Sequence, residues 1–305
     1  NTNWSFCEWI SRCSRLIILS SNKPCGAGRK SLKRRNFHLQ KPKTYEQEHA
    51  EDLERIRNFC LMDDEFMSAV LSDNPRAIEL VLQIILESPT LKVAYSHTQE
   101  SIHNLFGKDV ILDVFCTDIR GTTFNVEIQR SDQGAVPKRA RYHASMIDSR
   151  ILAPGQSYQD LPESYIIFIT ENDYFSQSRP LYHIERTGRE TGLPFEDFQH
   201  IIYVNGQYKS DDPLGRLIHD FWCKNTNNMN FQVLRDSVSY YKDVKEGNLA
   251  MCRALEEMRN ETRTETRKQT LEEVAKALLL DGMPLSKISS ILNIPEEEVK
   301  DLCEA

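Results

Sequence analysis

The stretch "VILDVFCTDIRGTTFNVEIQR", residues 110–130, decides the fold because it contains two strand patterns around one turn. Residues 110–117 are mostly apolar and β-branched, and residues 123–130 alternate between apolar and polar side chains. Gly121 lies between the two patterns, as in three-residue hairpin loops that end with a left-handed glycine. The stretch therefore predicts a β-hairpin.

The register of this hairpin places two acidic side chains opposite one another. A loop at residues 119–121 pairs Asp118 with Thr122. Counting back along both strands then pairs Asp113 with Glu127. Carboxylates that face each other repel, so the pair requires a cation or a shared proton, and Mg²⁺ is the simplest such partner. A slip of one residue would instead put the two acids on opposite faces, where isolated acids are ordinarily solvated.

Alternation also assigns the two faces of the second strand, since successive side chains point to opposite sides. The polar positions are Asn125, Glu127 and Gln129, and the apolar positions are Phe124, Val126 and Ile128. The apolar face is expected to join the core, and the polar face predicts a polar cluster that includes one of the two acids.

Composition favours a globular protein with one main domain and appendages. The chain has 305 residues, of which 40% are hydrophobic and 27% charged, which is enough for a full-sized core. No apolar run approaches the ~20 residues of a membrane span, so we expect a cytoplasmic protein without membrane contact. The eight cysteines include no C-x-x-C pair, which disfavours a zinc site and a disulfide framework.

The N-terminal part of the chain is basic although the net charge is −7. Residues 1–43 contain ten Lys or Arg and one acid. Residues 23–43 contain Gly and Pro and lack periodicity, so we predict a basic, disordered segment over residues 1–60. Two interpretations stay open: an arm that grips nucleic acid, or residues translated upstream of a natural start at Met62.

Residues 61–245 predict the α/β core. Helical spacing indicates helices over residues 63–71, 75–86, 138–152 and 213–222, and strands are expected near residues 91–96, 164–170, 181–186 and 200–205. The continuous apolar run at residues 164–170 is typical of a central, fully buried strand. The hairpin, the following helix and this strand form a crossover unit.

Residues 246–305 predict a helical C-terminal region. The charged run at residues 248–276 is a candidate for pairing with a second copy of the chain. Helices over residues 271–280, 285–292 and 295–303 are typical of a helix-turn-helix and equally of a small helical cap. The acidic residues 296–298 count against DNA contact by this end.

Several spaced motifs of the chain resemble the PD-(D/E)XK nuclease family transposases, also called Rpn-type recombination-promoting nucleases. The motifs are Asp113, "EIQR" at residues 127–130, "PKRARYHASMIDSRIL" at residues 137–152 and "LPESYIIFITENDYF" at residues 161–175. They occur in order over roughly residues 61–243, with a weaker extension at "LLLDGMPLSKISSIL" near the end. An E-x-Q pattern alone would carry little weight, so the resemblance depends on the ordered set.

The resemblance implies a restriction-endonuclease-like α/β fold, with a small mixed sheet flanked by helices and here a helical C-terminal extension. It also implies cleavage of DNA phosphodiester bonds with Mg²⁺ or Mn²⁺ as cofactor. Carried over to this sequence, Asp113 and Glu127 are the catalytic, metal-binding acids. Asp64 is the candidate for a third metal ligand, with Asp63 and Glu65 as alternatives.

Gln129 stands where the nominal motif of the family has lysine. Lysine would bring a positive charge to the attacking water or the scissile phosphate, whereas a neutral amide orients water through hydrogen bonds. Glutamine also occurs at this position in the family, so the resemblance implies an active variant in which Gln129 is catalytic. Arg130 points to the opposite face of an ideal strand and does not replace the lysine.

The helix after the hairpin begins with basic residues that are suited to phosphate contacts. The candidates for DNA binding are Lys138, Arg139, Arg141 and Tyr142. Arginine can contact phosphate oxygens through two donors. For Tyr142, a role as a packing aromatic is an equally open interpretation.

Together these inferences predict a metal-dependent DNA endonuclease associated with a mobile element or with recombination. Two alternatives stay open. One is a catalytically silent DNA-binding or scaffolding protein of transposon origin, and the other is a helix-turn-helix regulator with an unrelated α/β domain. The expected partners are DNA and, through the C-terminal helices, a second copy of the chain.

Overall fold

A computed structural model describes residues 44–104 and 107–304 of the chain. The strands are β1 (Val93–Ile102), β2 (Val110–Asp118), β3 (Thr123–Gln129), β4 (Ser164–Thr170), β5 (Leu181–Ile184) and β6 (Gln199–Asn205). The helices before and within the sheet region are α1 (Tyr45–Asn58), α2 (Asp64–Leu71), α3 (Pro75–Ile85), α4 (Pro137–Ile151) and α5 (Pro213–Trp222). The helices that follow are α6 (Gln232–Asp243), α7 (Lys245–Leu280), α8 (Leu285–Leu292) and α9 (Glu296–Glu304).

The strands form one mixed six-stranded sheet in the order β1-β2-β3-β4-β6-β5. β1 pairs with β2, β2 with β3 and β5 with β6 in antiparallel fashion, while β3–β4 and β4–β6 are parallel. β4 lies near the middle of the sheet and Ile166 to Thr170 are buried, as its apolar run predicts. The mixed sheet with flanking helices confirms the restriction-endonuclease-like α/β fold, and the helical C-terminal region is confirmed with it.

The hairpin has the register that its loop predicts. Val114 pairs with Val126 and Thr117 with Thr123. Gly121 has a φ of +90°, which an L-residue adopts only under strain, so glycine at this position sets the loop geometry. Because the loop fixes the register, the same counting brings Asp113 opposite Glu127.

Both faces of the sheet are covered, so the polar side of β3 is buried as well as its apolar side. The apolar side (Phe124, Val126, Ile128) joins a core with Ile56 of α1, Phe66 of α2, Ile78 of α3, Leu217 of α5 and Leu234 of α6. On the other side, α4 packs across β4, β2 and β1 and contributes Ala140, Ala144 and Ile147 to a second core. The polar side chains of β3 therefore lie beneath α4.

The prediction of disorder over residues 1–60 is wrong at residues 45–58, which form α1. Ile56 is fully buried in the main core, and both oxygens of the buried Asp52 accept hydrogen bonds from Arg259 of α7. Burial of Ile56 and this ion pair hold the helix in place. The basic segment at residues 23–43 lies outside the described residues.

The C-terminal region is built on one continuous helix, α7, which runs through the predicted boundary at residue 271. α8 and α9 pack on its last turns, and Asn293 between them adopts the left-handed conformation. The small core of this end consists of Leu271, Ala275, Ile288, Leu292, Val299 and Leu302. Within the described ranges no helix is long and apolar enough to cross a bilayer. Pairing of α7 with a second copy stays a prediction.

Candidate active site

Asp113 and Glu127 lie where β2 and β3 separate. Backbone pairing between the two strands extends to Val114–Val126, after which the carboxylates take part in the hydrogen bonding. The Ile128 N–H donates to Asp113 Oδ2 at 3.0 Å, and the Asp113 N–H donates to Glu127 Oε1 at 3.4 Å. Asp113 is 6% exposed and Glu127 is fully buried. The two carboxylates are thus fixed side by side by backbone donors.

Glu127 is held by three side chains. Arg139 Nη2 donates to Glu127 Oε2 at 2.8 Å, and Asn125 Nδ2 donates to Oε1 at 3.0 Å. His143 Nδ1 lies 3.3 Å from the same Oε1. Arg139 Nε also donates to His143 Nε2 at 3.2 Å, so this nitrogen accepts and the histidine proton is assigned to Nδ1, facing Glu127.

The surroundings shift the pKa values of the two acids in opposite directions. Burial, followed by the charges of Glu127 and Asp64, raises the pKa of Asp113 to about 8. Burial alone would raise the pKa of Glu127 as well, but the hydrogen bond from His143, the charge of Arg139 and the hydrogen bond from Asn125 bring it below its ordinary value. At neutral pH, Glu127 is therefore ionised and Asp113 keeps its proton. One cation and one proton relieve the repulsion that the sequence predicts.

Asp64 lies within electrostatic reach of the two acids without joining them. It is the first residue of α2, is exposed, and accepts a hydrogen bond from Gln99 Nε2 at 3.3 Å. Its pKa is raised by partial desolvation and then by Glu65 and Glu127. Within residues 44–104 and 107–304, no group of three or more His, Cys, Asp or Glu is arranged to hold a metal ion. The predicted three-acid cluster is therefore not assembled.

The alternatives to Asp64 are engaged elsewhere. Asp63 pairs with Arg130 at 2.6 Å and accepts the Cys60 N–H at 2.9 Å. Glu65 pairs with Arg55 of α1 at 3.2 Å. Of these three acids, Asp64 is therefore the one whose charge raises the pKa of Asp113.

The donor atoms at the pair fit a hard divalent cation. Besides the two carboxylates, Asn125 Oδ1 is buried and has no hydrogen-bond partner in the described part of the chain. Asn125 precedes Glu127 by two residues on the same face of β3, and its amide already contacts that carboxylate. Carboxylate and amide oxygens are ligands that Mg²⁺ and Mn²⁺ prefer. Asp113, Glu127 and Asn125 are the residues that would hold such an ion.

Gln129 ends β3 and packs against the loop that follows. A Cβ added to Gly134 would lie 1.7 Å from Gln129 Oε1, so this glycine leaves the space that the side chain occupies. Arg130 instead pairs with Asp63 and Glu171 and lies over the ring of Trp222. The structure therefore agrees with the prediction that Arg130 does not substitute for a motif lysine.

The basic residues at the start of α4 divide into two groups. Lys138 and Arg141 are exposed, and neither side chain has a hydrogen-bond or ion-pair partner among the described residues. Arg139 faces inward to Glu127. The Tyr142 hydroxyl donates to Lys108 O at 2.5 Å, and its ring packs against the second core, which favours the packing interpretation.

Sequence reasoning missed the roles of His143 and Asn125. His143 lies one helical turn after Arg139, so both side chains share the face of α4 that covers β3. Asn125 was placed on the polar face without a function. The signal that could have found them is the requirement that a buried carboxylate has polar neighbours.

Comparison with known families gives one finding. The family model of the PD-(D/E)XK nuclease family transposase matches residues 73–278, about two thirds of the chain. The matched region contains both acids, Gln129 and all of α4, whereas Asp64 lies outside it. Searches of curated proteins and of solved structures give no match.

Proposed function

The chain belongs to the PD-(D/E)XK nuclease family transposases, and on that premise we propose that it is a metal-dependent DNA endonuclease of a mobile element or recombination system. The Rpn-type subgroup is compatible with the family match and forms part of the proposal. Mg²⁺ or Mn²⁺ is the proposed cofactor, and duplex DNA is the proposed substrate.

The observation that carries this proposal is the pair Asp113 and Glu127. Two carboxylates that are buried side by side cost stability unless a cation or proton compensates them. Here backbone N–H groups fix both of them at the point where two strands separate. A buried carboxylate pair that reduces stability, and that backbone hydrogen bonds nevertheless fix in position, is expected at a functional site.

The chemistry divides among these residues by position. When bound, a divalent ion would supply a polarised water and positive charge for the phosphoryl oxygens. Asn125 and His143 keep Glu127 oriented. As a ligand of such an ion, Asp113 would be ionised, its proton having passed to solvent. Gln129 orients the attacking water through its amide.

DNA is held by the start of α4. Lys138 and Arg141 are exposed basic side chains one turn apart, and they contact phosphates on either side of the cleaved bond. These contacts are independent of base sequence, so they determine affinity and orientation and not specificity.

The second candidate is a catalytically silent DNA-binding or scaffolding protein. Two observations favour it: Arg139 already compensates Glu127, and no third acid joins the pair among the described residues. Such a protein would bind DNA and leave it intact with any divalent metal.

Nicking of supercoiled plasmid separates the two candidates. The wild-type chain is incubated with Mg²⁺, Mn²⁺, Ca²⁺ or EDTA beside Asp113→Asn, Glu127→Gln and the surface control Arg141→Gln. We expect nicking with Mg²⁺ or Mn²⁺ in the wild type, reduced nicking in Arg141→Gln and none in the two acid variants. Equal nicking by wild type and Asp113→Asn would refute the assignment, and intact plasmid in every reaction would favour the silent protein.

A further inference from the structure

Arg139 binds the Glu127 carboxylate that a metal ion would use as a ligand. Its Nη2 lies 2.8 Å from Glu127 Oε2, while the other oxygen of Glu127 accepts from Asn125 and lies against His143. Both oxygens of this carboxylate are therefore engaged before any ion binds. An ion that coordinates Glu127 must compete with the charge and hydrogen bond of Arg139.

The two partners of this ion pair differ in their freedom to move. Glu127 is fully buried in a central strand, whereas the Arg139 side chain is 35% exposed and lies in the first turn of α4. The backbone of Glu127 is fixed by its pairing with Phe168 of β4. The guanidinium can leave toward solvent by a change of rotamer.

Arg139 lies beside the two exposed basic residues of α4 at which DNA is expected. Lys138 and Arg141 share the same helical turn and are exposed without partners among the described residues. A phosphate near these two residues would offer Arg139 a charged, two-oxygen acceptor in place of Glu127. DNA and metal would then favour the same conformer, in which Arg139 has left Glu127.

We propose that Arg139 forms an ion pair with Glu127 in the DNA-free protein and moves to a DNA phosphate when the duplex binds, so that DNA and divalent metal bind cooperatively. This inference rests on the proposed metal-dependent nuclease function. By thermodynamic linkage, DNA raises the metal affinity by the same factor by which metal raises the DNA affinity.

Calorimetric titration with Ca²⁺ tests the coupling, because Ca²⁺ takes carboxylate and amide oxygens as ligands and binding is read out as heat without any need for cleavage. The full chain is titrated at one fixed pH with and without a short duplex. Arg139→Gln removes the charge while its amide can still donate to Glu127, and Arg141→Gln removes the same charge from the neighbouring surface. Asp113→Asn measures the Ca²⁺ that binds elsewhere, and thermal unfolding checks that each variant is folded.

In the wild type, the duplex should tighten Ca²⁺ binding by about tenfold or more, within the usual range of coupling between two ligands. Arg139→Gln should bind Ca²⁺ about tenfold more tightly than the wild type without DNA and gain little from the duplex. Arg141→Gln should keep the wild-type coupling while binding DNA more weakly.

Two results would overturn the inference, and they differ in what else they affect. Unchanged or weaker Ca²⁺ binding by Arg139→Gln, with the coupling to DNA retained, would show that Arg139 only positions Glu127. This result leaves the proposed nuclease intact. Wild type that binds no more Ca²⁺ or Mn²⁺ than Asp113→Asn, with or without DNA, would overturn the metal site itself and the coupling with it.

Discussion

Asp113→Asn should stabilise the protein in EDTA, and the gain should grow with pH. The folded state raises the pKa of Asp113 from 3.8 to about 8, so between these values the folded protein holds a proton that the unfolded chain has released. A group of this kind contributes stability that is present below the unfolded pKa and is lost as the pH rises through the folded pKa. Asparagine has no such proton, and its Oδ1 can still accept the Ile128 N–H.

The size of the effect follows from the width of this window. One pKa unit corresponds to ~1.4 kcal/mol, so the difference in unfolding free energy between Asp113→Asn and wild type should widen by that amount per pH unit from pH 5 to pH 7. The full difference at pH 7 has an upper limit of about 4 kcal/mol. Carboxylates other than Glu127 and Asp64 titrate equally in both proteins, so the difference reports on Asp113 and the two acids whose charges act on it.

Urea unfolding in EDTA at pH 5, 6 and 7 measures this difference. Glu127→Gln is the matched control, because the folded state lowers the pKa of Glu127 and the change removes its ion pair with Arg139. That variant should lose stability at every pH in this range. A pH-independent difference for Asp113→Asn, or a wild type more stable than Asp113→Asn at pH 7, would refute the charge distribution assigned to the pair.

Three further predictions concern other parts of the chain. Gln129→Leu should reduce the rate of plasmid nicking by about 10²-fold because one positioned polar group is lost, whereas Gln129→Lys should keep part of the activity. Full activity of Gln129→Leu would show that Gln129 has only a structural role. Lys138→Gln and Arg141→Gln should each reduce the magnitude of the negative slope of log K against log salt by roughly 0.9, where K is the association constant for DNA, on two unrelated duplexes with Ca²⁺. Unchanged slopes would remove α4 from the DNA-binding surface. Lys242→Met should lower the unfolding free energy by about 3 kcal/mol in urea, since its Nζ donates to three backbone carbonyls that would lose their partner, and a loss below about 1 kcal/mol would contradict this role.

The parts of the fold that depend on local sequence could be predicted, and those that depend on distant packing could not. Gly121 determined the hairpin register, and the apolar run at residues 164–170 indicated the central strand. α1 was missed because it is held by Asp52, whose partner Arg259 is 207 residues away.

The same distinction applies to the candidate site. The position of Asp113 opposite Glu127 followed from counting along two adjacent strands. The inward direction of Arg139 depends on how α4 packs over β3, which the basic pattern of the helix does not indicate. The choice among the acids near α2 likewise depends on partners such as Arg130 and Arg55, which belong to other elements.

A crystal structure with Mn²⁺, recorded at an energy where manganese scatters anomalously, tests the central claim most directly. We expect one anomalous peak within ~2.0 to 2.5 Å of carboxylate oxygens of Asp113 and Glu127, with Arg139 displaced from Glu127, and no such peak in Asp113→Asn. A structure of the wild type in which Arg139 still pairs with Glu127, and in which no manganese lies between the two acids at saturating Mn²⁺, would contradict the claim.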